Sequence, residues 1–324
     1  MVSLILLLLL LSSPAEAHEP DKPVILRFAG DCLLAGYYED AVGTNAGLAF
    51  QDFDLLKTAD VAMVNLECPV TTRGKKIPKP YNFRMNPRFL AALNGAGIDI
   101  VNIANNHIYD FGPEGLFDTI SYLDSVGIRH VGAGRNRAEA HCPVVLNLNG
   151  IKVGFLGYYG GGEAPAASDL RPGVARRDIG LITSDIASLR YKDSVDYIVV
   201  NLHWGTEKET YPDGSQRDLA HRIIDSGADA VIGHHPHVLQ GIELYKSGVI
   251  AYSLGNFIFG GNGRSTYDTG LFEIRLLGKS KEYSFIPIRI EGWKAARLAG
   301  SEGEIVEQRV RKLSSGFARS IFTQ

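Results

Sequence analysis

Five stretches of this sequence place side chains able to hold a cation or move a proton directly after an apolar run. The residues are Asp31, Glu67, Asn106 with His107 and Asp110, His203, and His235 with His237. An asparagine oxygen can ligate a cation, and a histidine can ligate one or carry a proton. The candidate ligands among them, the carboxylates Asp31 and Glu67, the amide oxygen of Asn106 and the imidazoles of His203, His235 and His237, make a mixed oxygen–nitrogen set. That set suits manganese, zinc or iron better than calcium, which prefers oxygen throughout. A shared carboxylate could bridge two neighbouring ions, the arrangement used for phosphoryl displacement. Taken singly, each signal has a plainer reading: an Asn-rich turn, or a satisfied histidine at a strand end. Core packing does not account for all five, because charged and amide groups are costly to bury unpaired. The His-Pro-His run is the strongest single signal, since alternate residues on an extended turn can face one cation. His18, His130 and His141 match no such position, and His221 reads as a solvated member of a helix's outer row with Arg217 and Asp225.

The elements that must position these groups follow from periodicity. Apolar runs at Val24–Ala29, Val61–Leu66, Ile98–Ile103, Val195–Leu202, Ala228–Ile232 and Val249–Ser253 read as buried strands. The Ile98 run ends in the polar cluster, then Gly112 and Pro113 open a helix that Gly127 closes. Strand, polar cluster and helix start are how an α/β sheet presents chemistry at its carboxyl edge. Helices are predicted around Leu48–Thr58, Pro87–Gly95, Ile182–Arg190, Ser215–Ser226 and Ile305–Leu313, and Asn149-Gly150 marks a hairpin. Tyr158–Asp178, rich in Gly, Ala and Pro, reads as a mobile flap or a variable loop. The loop Thr71–Arg88 carries Arg73, Lys75, Lys76, Lys79, Arg84 and Arg88 with no acidic residue. It is either a solvated surface loop or a cationic rim that attracts an anionic substrate. Strands alternate with helices and no linker intervenes, which predicts one α/β domain over residues 18–324.

Composition bounds the function. The 324 residues are 45% hydrophobic and 21% charged, enough for a proper core, and the net charge of -3 gives no signature of nucleic-acid binding. Met1–Ala17 reads as a signal peptide, with an apolar run at Leu4–Leu11 and a small-x-small site at Ala15-Glu16-Ala17. It predicts an extracytoplasmic protein, periplasmic or secreted; an uncleaved N-terminal membrane anchor is the alternative. Three cysteines, Cys32, Cys68 and Cys142, are too few for a disulfide scaffold or a cysteine-rich zinc site. Cys32 and Cys68 each follow an acidic strand-end residue, so a bridge between them is an open alternative to free thiols.

The stretches FAGDCLLAG, VNLECPVT, NFRMNPRFLAALNGAGIDIVNIANNHIYDFGPEGLFDT, VVNLHWGTE, GADAVIGHHPHVLQGIE and AYSLGNFIF resemble the bacterial capsule-synthesis family of the poly-gamma-glutamate CapA (PgsA) type. That family resembles the calcineurin-like metallophosphoesterases. The resemblance implies a two-sheet, four-layer α/β sandwich with one or two divalent ions (Mn, Zn or Fe) at strand ends. By position it implies Asp31 as first metal ligand, Glu67 as bridging carboxylate, Asn106 as amide ligand and His107 as proton donor to a leaving group; Asp110, three residues on, would orient His107. It implies His203, His235 and His237 as the remaining ligands; whether His234 or His235 fills the penultimate place is open, with the His-x-His spacing favouring His235. Two departures stand out: Leu33 occupies the place of a usual His, and Glu67 that of a usual Asp. The implied substrate is a phosphoester or an anionic polymer, with a membrane-associated capsule-synthesis complex as partner. A non-catalytic, polyanion-binding accessory role is the alternative to a hydrolase.

Overall fold

The structure is a computed structural model that describes residues 22–323; the expected signal peptide Met1–Ala17 and His18 lie outside the described residues. Two sheets face each other. The first runs edge to edge through Lys294–Arg297, Ser280–Glu291, Tyr267–Leu277, Val24–Leu33, Val61–Leu66, Ile100–Asn102 and Arg129–Val131. The second runs through Ile242–Tyr245, Gly248–Ala251, Ala230–His234, Tyr197–His203, Ile151–Tyr159 and Val144–Leu148. In both, the central strands are parallel. Their sequences are apolar almost throughout because both faces are covered.

Alternation along each strand divides the core. Leu26, Phe28, Val61 and Met63 of the first sheet meet Phe155, Val199 and Ile232 of the second in one buried cluster between the sheets. Residues one step along point outward. Ala62, Val64 and Val101 pack under the helices Leu90–Gly95 and Gly112–Val126 through Leu93, Leu116 and Ile120. Ile198, Val200 and Val231 do the same under Ile179–Ala187 and Gly214–Asp225 through Ile182, Ile186 and Ile223. Helix, sheet, sheet, helix is the four-layer sandwich that the family resemblance implies.

Three expectations change. The helix predicted over Leu48–Thr58 is a short 3-10 turn, Leu48–Phe50, followed by turns. Phe50, Phe53 and Leu56 are buried three residues apart, a spacing that successive turns satisfy, and Asp52 sits at φ 62°, which breaks a helix. The Tyr158–Asp178 segment is stitched down: Val174 N donates to the Pro165 carbonyl, Ala175 N to Gly132 and Arg177 N to Tyr159. His221 is not a solvated residue, because it stacks on Tyr245 with ring centroids 3.7 Å apart and its Nε2 lies 3.0 Å from a Glu243 carboxylate oxygen. Among the described residues no helix is long and apolar enough to cross a membrane.

Candidate metal centre

Every expected strand-end residue arrives at one edge. Asp31 sits near the end of the contact between Val24–Leu33 and Val61–Leu66, opposite Asn65 in register. On its other side Asp31 faces Asn256, because the first half of its strand pairs with Tyr267–Leu277 and the second half with Asn256–Phe259. Gly30 permits that close approach: a Cβ there would stand 1.9 Å from the Gly255 carbonyl oxygen, to which Asp31 N donates at 2.8 Å. His203 and His234 are register partners at the ends of their parallel strands. Beyond them, His235 at φ 96° and His237 at φ 58° lie in a region that costs on the order of 1 kcal/mol or more for a non-glycine residue. The chain turns sharply there, and both imidazoles face the opposite sheet's carboxylates.

Two groups of potential ligand atoms result, and they share one residue. Glu67, His203 and His235 form the first; Asp31, Glu67 and His237 form the second. Asn106 Oδ1 joins the first group at 2.8 Å from His203 Nε2, and His235 Nδ1 lies 3.1 Å from the same nitrogen. His237 Nδ1 is 3.2 Å from Asp31 Oδ2. Glu67 Oε1 stands 3.7 Å from His203 Nε2 and 3.6 Å from His237 Nε2, and it has no hydrogen-bond partner. Donor atoms each about 2.1 Å from one ion lie about 3–3.5 Å from one another. The separations are close to that spacing and Glu67 Oε1 is left without a direct partner, so the residues present fit one or two divalent ions. His234, the alternative at the penultimate place, joins neither group; its Nδ1 lies 3.7 Å from Asp31 Oδ1 and neither ring nitrogen has a partner. Leu33, where the resemblance leads one to expect His, is fully buried in the apolar cluster.

Electrostatics point the same way. Burial pushes Glu67 well above the usual carboxylate range, and neighbouring Asp31 pushes it further. Burial opposes ionisation of Asp31 too, but the His237 hydrogen bond and charge hold it low. Burial works against a charged His237, yet Glu67 and Asp31 raise it to about 10. His203 falls well below its ordinary value through burial and then through His235. Without a metal, a proton on His237 balances buried carboxylate charge. Because ligands must be deprotonated, loading the apoprotein with Mn or Zn at pH 7 should release at least one proton per chain, and apparent affinity should rise with pH. Titration in weak buffer with a pH indicator measures this; uptake without proton release would count against His237 as a ligand.

Sequence reasoning missed four residues here. Asn65, inside a buried strand, donates to Asp31 Oδ1 at 2.8 Å and to Glu67 Oε2 at 3.3 Å, and is itself held by Asn102 at 2.9 Å. Asn256 Oδ1 is 2.8 Å from His237 Nδ1. Glu207, exposed, completes a third group with His235 and His237.

Beside the cluster, His107 Nδ1 lies 2.7 Å from Asp110 Oδ2, and Lys79 pairs with Asp110's other oxygen. Burial lowers His107, partly countered by Asp110. The expected cationic rim is therefore largely spent on the fold. Lys79 serves Asp110, Arg73 pairs with Asp118, Arg88 with Glu39 at 3.0 Å, and Arg84 lies over the Phe111 ring. Cys32 and Cys68 are buried free thiols, raised by burial, so they stay protonated and inert.

Residues 25–261 match the family described as "Bacterial capsule synthesis protein PGA_cap". The chain is 32% identical over 268 residues to the capsule biosynthesis protein CapA of Bacillus anthracis, covering 80% of this chain and 65% of that one. It is 33% identical over 270 residues to the PGA biosynthesis protein CapA of Bacillus subtilis (strain 168), covering 82% and 70%. The chain thus spans about two thirds of the length of these relatives. Among solved structures, a Staphylococcus aureus protein assigned as a 5'-nucleotidase superposes with a TM-score of 0.52 at 14% identity, over 89% of this chain and 58% of that one. The NAD nucleotidase NadN of Haemophilus influenzae gives 0.50 at 12%, over 91% and 57%. At such identity the likeness concerns the fold, which is metallophosphoesterase-like.

Proposed function

The chain belongs to the bacterial capsule synthesis family PGA_cap, and on that premise we propose that it is an extracytoplasmic, metal-dependent hydrolase of phosphoester or related anionic linkages that serves capsule polymer synthesis. One observation carries the reading: Glu67 is common to two adjoining ligand groups, with a buried His–Asp pair beside them. Bound divalent ions would neutralise charge on the substrate's oxygens and make a nucleophile of water near neutral pH. The protein's own part begins with Asn65, whose amide holds the two carboxylates in place and is itself held by Asn102. Asp110 accepts from His107 Nδ1 and so fixes the ring; in its doubly protonated imidazolium form the ring then presents its Nε2 proton to the leaving group and returns to neutral imidazole. Lys79 pairs with the other oxygen of Asp110 and so fixes that carboxylate against the ring. The Met1–Ala17 pattern supports the location outside the cytoplasm.

A second reading rests on Leu33. An apolar residue where the family's phosphoesterase likeness calls for a ligand would weaken the first ion position, and the protein would then hold a polyanion during assembly or export without cleaving it. Metal-supplemented assays against a generic phosphodiester and monoester, run beside a polymer-binding titration, separate the two. Hydrolysis that disappears with a chelator supports the hydrolase; polymer binding with no turnover selects the accessory role.

A further inference from the structure

Trp204–Thr210 leaves the strand Tyr197–His203 as a loop whose backbone is tied to the turn that carries His235 and His237. Trp204 N donates to the His234 carbonyl at 3.1 Å, and Lys208 N to the Pro236 carbonyl at 2.8 Å. Gln240 Nε2 donates to the Glu209 carbonyl at 2.9 Å. Gly205 at φ 82° and Lys208 at φ 66° let the chain double back between these anchors. Glu207 lies between them. Its side chain is exposed, yet one carboxylate oxygen and a ligand nitrogen from each of His235 and His237 all lie within 4.8 Å of one another. Burial therefore rises in steps across the ligands: Glu207 is exposed, His235 and His237 are partly buried, and Asp31, Glu67 and His203 are fully buried. An ion arriving from solvent meets Glu207 and the two imidazoles first.

We propose that Glu207, His235 and His237 form an outer cation position that captures a divalent ion from solution and hands it to the buried ligands. The proposal rests on the metal-centre reading above. Shared ligands dictate a hand-over rather than a third permanent ion. A carboxylate can hold two ions, one on each oxygen, but a neutral imidazole has a single nitrogen lone pair to give. His235 also belongs to the first inner group and His237 to the second. When either ring commits to an inner ion, the outer position loses part of its ligand set and releases what it holds. One carboxylate and two imidazoles suit the same Mn, Zn or Fe as the inner set. Burying a bare cation is costly, and exchanging its waters for protein ligands in stages spreads that cost along the path. The anchored loop keeps Glu207 at a fixed station on that path instead of leaving it to swing in solvent.

The test is stopped-flow mixing of full-length, metal-free protein with Zn²⁺, followed by a metallochromic indicator of free ion. Salt is held at about 0.15 M, where the Debye length is about 8 Å and remote charges are screened. Glu207→Gln should take up metal roughly tenfold more slowly than wild type, the lower end of what one supporting group is worth at a metal site. Release into excess chelator should slow by the same factor, because a relay lies on the path in both directions and is absent from the loaded state. Equilibrium affinity and final metal content should therefore equal wild type. Glu209→Gln removes the same charge from an exposed position two residues away and should alter neither rate. Wild-type rates in Glu207→Gln would overturn the proposal. So would an equal loss in Glu209→Gln, which would signify general attraction of cations. Faster release with weaker affinity would overturn it too, since Glu207 would then be a ligand of the loaded centre. The metal-centre reading is checked apart from these rates, by the metal content of wild type against Glu67→Gln. Normal loading of wild type beside unaltered rates in Glu207→Gln sinks the relay alone.

Discussion

Glu67→Gln is expected to cost the protein its bound metal and its turnover together while leaving the apoprotein folded. Glu67 is fully buried, and its Oε1 belongs to both ligand groups and to no hydrogen bond. Glutamine keeps the volume and shape, so the packing around it survives. It also resembles the protonated Glu67 that burial and Asp31 favour without a metal. What it removes is the anionic oxygen that two ions would share. Loss of a group that only supports a ligand costs roughly 10–100-fold in metal affinity; loss of a shared ligand should exceed that. Elemental analysis after gel filtration should find at most one weakly held ion, and the thermal midpoint of the metal-free variant should match that of metal-free wild type.

His107→Ala separates chemistry from metal binding. The side chain stands beside the cluster but in none of its ligand groups, and its ring is aimed by Asp110. A positioned proton donor contributes roughly 10²–10⁴-fold, so kcat on an alkyl phosphoester should fall by about that factor with metal content unchanged. The loss should shrink on an activated aryl ester, whose leaving group needs no proton. Asp110→Asn, which breaks the orientation but keeps the imidazole, should fall between wild type and His107→Ala. Full activity in His107→Ala would remove the assigned role.

The site could be read from the sequence because parallel strands bury both faces and so appear as apolar runs, and whatever follows them lands on one edge. Asp31, Glu67, Asn106, His203 and His237 were visible in that way. Asn65 and Asn102 were hidden inside such runs, although a polar side chain in a doubly covered strand must find a partner; that demand was the available signal. Asn256 needed the pairing of Asn256–Phe259 with the end of Val24–Leu33, a long-range fact that local pattern does not carry. His221 went astray for a similar reason: the strand Ile242–Tyr245 brings Glu243 and Tyr245 against a helix face that looks solvated when taken alone. The Thr71–Arg88 cations were legible as charge, but their pairing with Asp110, Asp118 and Glu39 was not.

Anomalous diffraction from crystals of metal-loaded wild-type protein, collected at the metal's absorption edge, addresses the shared carboxylate most directly. The expected map has its strongest peak within about 2.2 Å of a Glu67 oxygen, flanked by His203, His235 and Asn106 or by Asp31 and His237. With both positions filled, the two peaks stand about 3.5–4 Å apart across Glu67. A loaded crystal with no peak beside Glu67, or with its metal held elsewhere, would contradict the account.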